Sequence, residues 1–264
     1  MFFSVIIPAV NNNSYLKKNL DYLSKQNFKN FEVIIISESN FQKELLNINL
    51  SLKFIYNKEV LSPGEKRNLG AKNSSGNYLA FIDDDAFPKS DWLEKAFNKL
   101  TTLKNEKICL GGPGIIPSDE NFFGKCVNLF FTSPLFHSDN YRYTSITKLN
   151  NKEVFDWPSV NFIINKNFFE EIGGFNNLFW PGEDSKLCKE VLENGGKILY
   201  FSEMLVYHYN RSNLKKHLKQ IYRYGLHRGL FFKNKDSNSF KLKYLIPTSF
   251  LISHLFIFVS YKVL

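Results

Sequence analysis

Residues 78–92 read YLAFIDDDAFPKSDW, in which an apolar run from Tyr78 to Ile82 ends directly on Asp83, Asp84 and Asp85. Adjacent carboxylates repel one another, and folding gains nothing from such a cluster on its own. Two readings account for it. One is a solvated turn leading into a helix capped by Ser90 or Asp91. The other is a divalent-cation site, because hard cations such as Mg²⁺ and Mn²⁺ select carboxylate oxygens. The choice turns on where the cluster falls in the fold.

Toward the N-terminus the same alternation of apolar run and helix recurs. SVIIP (Ser4 to Pro8) is a short apolar run, and Leu16, Leu20 and Leu23 then share one helical face behind Asn13 or Ser14 as cap. FEVIIIS (Phe31 to Ser37) reads as a fully buried strand, and LKFIYN (Leu52 to Asn57) as a third. In PGEKRNLGAKNSSG, Pro63 stands near a helix start and Gly76 just past its end. YLAFID is then the fourth strand. Buried strands alternating with helices predict an α/β fold, a mostly parallel sheet flanked by helices on both faces. Ligands of such sheets bind beyond the carboxyl ends of the strands, where the three aspartates lie. There is no P-loop, and no G-x-G-x-x-G follows the first strand, which disfavours a Walker-type NTPase and a dinucleotide dehydrogenase.

The 264 residues suffice for one large α/β domain or two small ones, and 44% hydrophobic with 16% aromatic residues supplies a substantial core. Cys109, Cys126 and Cys188 are scattered and odd in number, which fits a reducing, cytosolic setting better than disulfides or a zinc cluster. The start, MFFSVIIPAV, lacks a basic n-region, so no signal peptide is expected. The net charge of +9 is concentrated: no acidic residue lies between Glu203 and Asp236, where Lys215, Lys216, Lys219, Arg223 and Arg228 fall. Nucleic acid, anionic lipid and phosphorylated substrates all suit such a segment.

Further along, GKCVNLFFTSPLF is helical in pattern and a polar loop runs from Asn140 to Asn151. In WPGEDSKLCKEVLENGG, Leu187, Cys188, Val191 and Leu192 have helical spacing, and Gly195 and Gly196 suit the helix end. Glu183 and Asp184 then lie at its N-terminus, where the macrodipole favours the ionised carboxylate. An acidic N-cap is the plain reading of that pair.

Taken together, SVIIPAVNN, FEVIIISES, GEKRNLGAKNSSGNYLAFIDDD, EIGGFNNLFWPGED and VYHYNRS, in this order from about Ser4 to Ser212, closely resemble the family 2 glycosyltransferases of GT-A fold. The resemblance implies sugar transfer from a nucleoside-diphosphate-sugar donor to a saccharide or lipid-linked acceptor, with inversion and with Mn²⁺ or Mg²⁺ as cofactor. It places Pro8, Ala9 and Val10 at the nucleoside, and Glu38 where an aspartate usually reads the base. Here Ser37-Glu38-Ser39-Asn40 replaces the family's Asp-Asp-Gly-Ser type of turn. Arg67, preceded by Lys66, matches an arginine facing the donor. Asp83 and Asp85 match the DxD pair that binds metal, with Asp84 between them beside the sugar or ribose, and His208 lies where several members supply another ligand. Asp184 matches the catalytic base, and Glu183 its acidic neighbour. If the strand remains extended, Asp83 and Asp85 point the same way. At a helix start Asp184 is expected to be ionised at neutral pH and, being dipole-stabilised, a weaker base. Trp180 is a candidate sugar platform, and Ser159 and Asn161 candidate contacts to acceptor hydroxyls.

The expected transferase domain spans residues 1–212, and a C-terminal segment, 213–264, follows. Leu214, Leu218, Ile221 and Tyr222 share one helical face, opposite Lys215, Lys216, Lys219 and Arg223. Such a helix either packs on the domain or lies on an anionic membrane surface. YLIPTSFLISHLFIFVSYKVL then approaches the ~20 apolar residues of a spanning helix, interrupted by Pro247, Ser249 and His254. Attachment to the cytoplasmic face of a membrane through this end is expected, and no nucleic-acid partner. Two alternatives are a sugar-phosphate nucleotidyltransferase, which usually has a glycine-rich phosphate loop absent from PAVNNN, and a catalytically silent protein of the same fold.

Overall fold

The computed structural model describes residues 2–45, 48–59, 61–133, 140–233, 249 and 252–254. The four apolar runs are strands β1 (Phe3–Ala9), β2 (Phe31–Ser37), β3 (Leu52–Tyr56) and β4 (Tyr78–Ile82). Helix α1 (Ser14–Ser24) joins the first two; the Asn13 side chain accepts hydrogen bonds from the backbone N–H groups of Tyr15 and Leu16, so Asn13 is the cap. Helix α2 (Pro63–Lys72) begins with a capping box, Ser62 and Glu65 each bonding the other's backbone. It closes at Asn73 rather than at Gly76. Gly76 instead donates its N–H to Ser4 Oγ at 2.9 Å, where the chain crosses the foot of β1.

The aspartates do not continue the strand. Ala86 N–H donates to the Asp83 carbonyl at 3.1 Å, closing a turn before β5 (Ala86–Pro88). Helix α3 (Trp92–Leu103) follows; Asp91 occupies its cap position but makes no side-chain cap bond. Next come β6 (Ile108–Gly111), β7 (Gly114–Ile115) and helix α4 (Phe122–Thr132). Beyond these lie β8 (Glu153–Val154), β9 (Asn161–Asn165), α5 (Lys166–Glu171), α6 (Glu183–Glu193), β10 (Lys197–Tyr200), β11 (Val206–His208) and α7 (Leu214–Lys233).

The main sheet has the order β3-β2-β1-β4-β9-β6-β10-β8. Neighbours are parallel from β3 to β4 and between β6 and β10, whereas β9 and β8 run antiparallel to their neighbours. A short second sheet, β5-β11-β7, brings His208 opposite Ala86, next to the aspartate turn. Alternation along each buried strand divides the core between the two faces. Val5, Ile7, Val33 and Ile35 pack with Leu16, Leu20 and Leu23 of α1 and Trp92 of α3. Ile6, Ile34, Ile36 and Phe81 pack on the other face with Phe168, Phe169, Leu187 and Val191. This is the mostly parallel, two-faced sheet that the strand pattern predicts.

Helix α7 docks on the domain by a narrow stripe; Phe231 is its buried residue. No helix among the described residues is long and apolar enough to cross a membrane. The apolar stretch from residue 244 onward lies almost wholly outside the described residues.

Candidate active site

At the carboxyl edge of β1, β2 and β4, two cations from α2 meet the ends of three strands. Lys66 and Arg67 point inward from the first turns of the helix, and both are buried. Lys66 Nζ donates to the Ala9 carbonyl at 2.7 Å and pairs with the Glu38 carboxylate. The Ser37 hydroxyl donates to the Val10 carbonyl at 2.9 Å, which ties the end of β2 to the loop after β1. Pro8 lies opposite Ile36 in the β1–β2 register, and Val10, just beyond the strand, is exposed.

Arg67 is a hub. Its Nη2 donates to Asp83 Oδ1 at 2.6 Å and its Nη1 to Glu183 Oε1 at 3.2 Å, and Nη1 lies 4.0 Å from Asp184 Oδ1. The guanidinium carbon stands 5.3 Å from the centre of the Phe175 ring, a cation–π arrangement. One side chain thereby joins the aspartate turn to the acidic pair of α6.

The three aspartates diverge. Asp83 faces Arg67, Asp84 accepts from Asn13 Nδ2 at 3.4 Å, and Asp85 lies 3.2 Å from His208 Nε2 and 3.4 Å from Arg211 Nη1. Alternation along an extended strand does not apply here, because the turn at Asp84 rotates the last carboxylate toward β11. Burial, followed by the charges of Asp85 and Asp83, pushes the Asp84 carboxyl up to about 7. Burial also opposes ionisation of Asp85, but His208 and Arg211 outweigh it and hold that carboxyl below its ordinary range. Carboxylates beside an imidazole are a donor set suited to Mn²⁺. A bound cation would relieve the crowding that burial and the neighbouring charges impose on Asp84, so the residues fit such an ion. Among the described residues no group of three or more His, Cys, Asp or Glu side chains is already gathered as a ligand set.

Glu183 and Asp184 differ in surroundings. Glu183 is buried; its Oε2 accepts from the Gly182 N–H at 3.0 Å while Oε1 holds Arg67. Asp184 keeps 30% of its side-chain surface exposed, and its Oδ1 has no hydrogen-bond partner. Burial and the neighbouring Glu183 charge push its carboxyl up to about 7, against Arg67 and the nearby Ser159 hydroxyl. The helix dipole does not keep it fully ionised as the sequence suggests; desolvation and a like charge at one residue's distance win. That makes it a stronger base than a dipole-stabilised carboxylate.

The candidate acceptor residues separate as well. The Ser159 hydroxyl is buried beside Asp184, and Trp180 is half exposed with the Arg223 guanidinium 5.6 Å from its ring. Asn161 is not available. Its Nδ2 donates to the carbonyls of Pro113 and Met204 at 3.3 and 2.6 Å, and its Oδ1 accepts from Trp92 Nε1 at 2.9 Å, so it is a buried strut between β9, α3 and the β10–β11 loop.

The Glycosyl transferase family 2 model matches residues 4–173. The chain belongs to glycosyl transferase family 2. It is a glycosyltransferase of GT-A fold. A Methanococcus voltae relative, a dolichyl N-acetyl-α-D-glucosaminyl phosphate 3-β-D-2,3-diacetamido-2,3-dideoxy-β-D-glucuronosyltransferase, is 25% identical over 98% of this chain and 82% of its own length. S. aureus TarS, solved with UDP-GlcNAc, superposes with a TM-score of 0.62 at 20% identity, over 81% of this chain and 60% of the TarS chain. The Pyrobaculum calidifontis mannosyltransferase PcManGT, solved with GDP-Man and Mn²⁺, gives 0.62 at 16% identity, over 85% of this chain and 61% of its own.

One group at the site of this family 2 enzyme escapes a reading of motifs. Asn19 of α1 is fully buried, and its Nδ2 donates to the carbonyls of Asp83 and Ala86, bracing the aspartate turn from below. An asparagine amid the Leu16, Leu20 and Leu23 stripe is the available signal. Arg211 and Phe175, which touch Asp85 and Arg67, lie within VYHYNRS and EIGGFNNLFWPGED, but only the fold brings them to those partners.

Proposed function

We propose that this glycosyltransferase moves a sugar from a nucleoside-diphosphate-sugar donor to a hydroxyl of a lipid-linked or other saccharide acceptor, with inversion and assisted by a divalent cation. The observation that carries the reading is the Arg67 hub, which unites Asp83 with the Glu183–Asp184 pair at the carboxyl edge of the sheet. TarS and PcManGT, bound to UDP-GlcNAc and to GDP-Man with Mn²⁺, support the donor class and the ion. The M. voltae relative, named for transfer to a dolichyl-phosphate-linked sugar, supports a lipid-linked acceptor.

Asp83, Asp85 and His208 are the groups that would hold Mn²⁺ or Mg²⁺, with Asp84 between the two aspartates beside the sugar or ribose. The ion, when bound, neutralises charge developing on the diphosphate. Pro8, Ala9, Val10 and the Glu38–Lys66 pair frame the nucleoside end. Asp184, with its unpartnered oxygen, is the base. As the acceptor oxygen bonds to the anomeric carbon, the bond from that carbon to the diphosphate oxygen breaks. The nucleoside diphosphate leaves with the electron pair, and the acceptor proton passes to Asp184. Attack from the side opposite the leaving group inverts the anomeric centre. Arg67 is a positioning residue, because its two outer nitrogens are engaged by protein carboxylates. Ser159 and Trp180 contact the acceptor. A lipid-linked acceptor places the work at a membrane, on its cytoplasmic face, with the C-terminal end attached.

Thermal unfolding across UDP- and GDP-sugars, with and without Mn²⁺, tests the reading. One donor should stabilise the protein only with the cation, by about 2.7 kcal/mol at a hundredfold excess over Kd. If no nucleotide or nucleotide sugar raises Tm with Mn²⁺, the proposal fails.

A further inference from the structure

Helix α7 docks through its C-terminal half, and the large apolar side chains of its first half stay outside that contact. Phe231 lies against Phe179 with ring centres 5.5 Å apart, and Arg228 Nη2 reaches Asp156 Oδ2 at 3.3 Å. Those two residues, three apart, define the inward stripe. Leu214 and Ile221, fourteen and seven residues before Arg228, continue its side of the helix and Leu218 and Tyr222 lie farther round, yet all four, in the half before the docked stripe, remain between 49% and 66% exposed. Lys215, Lys216 and Lys219 lie on the same turns, Lys215 next to Tyr222 at a spacing of seven, and the helix carries no acidic residue.

Helix α4 shows the same pattern. Gly124 and Val127 face inward, while Phe122 and Leu129, seven apart on the opposite face, are 83% and 70% exposed. The two helices meet at His217, whose ring lies 6.0 Å from that of Phe123 and 6.1 Å from that of Phe131. Leu214 and Ile221, three residues before and four after His217, border this seam from the α7 side. Soluble proteins rarely leave large apolar side chains together on adjoining helices.

We propose that α4 and the first half of α7 form a seat on which the protein lies against an anionic bilayer, apolar side chains entering the acyl boundary and lysines meeting lipid phosphates. Charge complementarity selects this occupant: three lysines beside exposed leucines suit an anionic lipid surface, and no carboxylate of α7 opposes it. The seat stands on the exposure and charge of the two helices and does not require the transfer reaction.

Co-sedimentation of the full-length protein with phosphatidylcholine vesicles, with and without phosphatidylglycerol, tests it. Binding should require the anionic lipid. Replacing Lys215, Lys216 and Lys219 together by Gln should weaken it roughly 10²-fold, about fivefold per lysine. Phe122→Ser with Leu129→Ser, which leaves the C-terminal segment intact, should weaken binding at least about tenfold, given about 1.5–3 kcal/mol per buried large apolar side chain. UDP binding with Mn²⁺, measured on the same samples, should be unchanged. Vesicle binding indifferent to the α4 pair overturns the seat, and so does concentration-dependent dimerisation abolished by that pair without lipid. Loss of nucleotide binding in the unmodified protein would instead strike at the donor assignment and leave the seat standing.

Discussion

A carboxylate withdrawn from water beside Glu183, with a guanidinium 4.0 Å away that is already engaged elsewhere, keeps its proton longer than an exposed one. Only the deprotonated form of Asp184 takes the acceptor proton. The kcat/KM for transfer should therefore fall as pH drops below about 7, close to tenfold per unit. The stability effect has the opposite sign. A folded pKa raised from 3.8 to about 7 means that ionising Asp184 costs stability as pH rises through that window. Asp184→Asn should reduce transfer roughly 10²–10⁴-fold while leaving UDP and Mn²⁺ affinity intact, as read by single-turnover kinetics and calorimetry. Glu183→Gln should behave differently. It removes the adjacent negative charge and frees Arg67 for Asp184, so the acid limb should move to lower pH. It also breaks a buried ion pair, so Tm should fall. A Glu183→Gln enzyme that loses more turnover than Asp184→Asn would move the base one residue earlier.

The start of α6 works because of the residue before it. Gly182 has φ of +129°, and a Cβ there would lie 2.6 Å from the Phe231 ring. Gly182→Ala should therefore cost roughly 1–3 kcal/mol in urea unfolding from backbone strain alone. Combining it with Phe231→Ala should not recover that loss, because removing the ring leaves φ unchanged. In α1, Asn19→Ala would leave the Asp83 and Ala86 carbonyls without their buried donor. A loss of about 1–3 kcal/mol is expected, together with weaker Mn²⁺ binding measured by calorimetry. Both residues interrupt an otherwise regular pattern. Gly182 separates a loop from a helix whose spacing is plain in LCKEVL, and Asn19 sits on a leucine stripe. Patterning thus located the elements and left visible irregularities where the site is braced.

Across the molecule, the groups proposed for the donor and metal come from the ends of β1, β2 and β4, from α2 and, in His208, from β11, while the proposed base and acceptor groups come from the second half of the chain. EDTA should abolish transfer, and Asp85→Asn should do so while lowering stability by no more than about 1 kcal/mol, since that carboxylate is partly exposed. Deleting residues 214–264 should lower Tm as well as release the protein from membranes, because Arg228 and Phe231 brace Asp156 and Gly182. Deleting only residues 234–264 should spare that brace, which differential scanning calorimetry of the two truncations can separate. The sequence by itself determined the strand–helix alternation, the placement of Asp83 to Asp85 at a strand's carboxyl end, and the acidic start of α6. Apolar periodicity, capping residues and strand ends are local properties, written in neighbouring residues. Only the tertiary structure decided that Arg67 joins Asp83, 16 residues away, to Glu183, 116 residues away, that Asn161 is a strut, and that Leu214, Leu218, Ile221 and Tyr222 of α7 stay exposed. Contacts over such separations depend on how the sheet and its crossovers close in space, and no spacing along the chain encodes that distance.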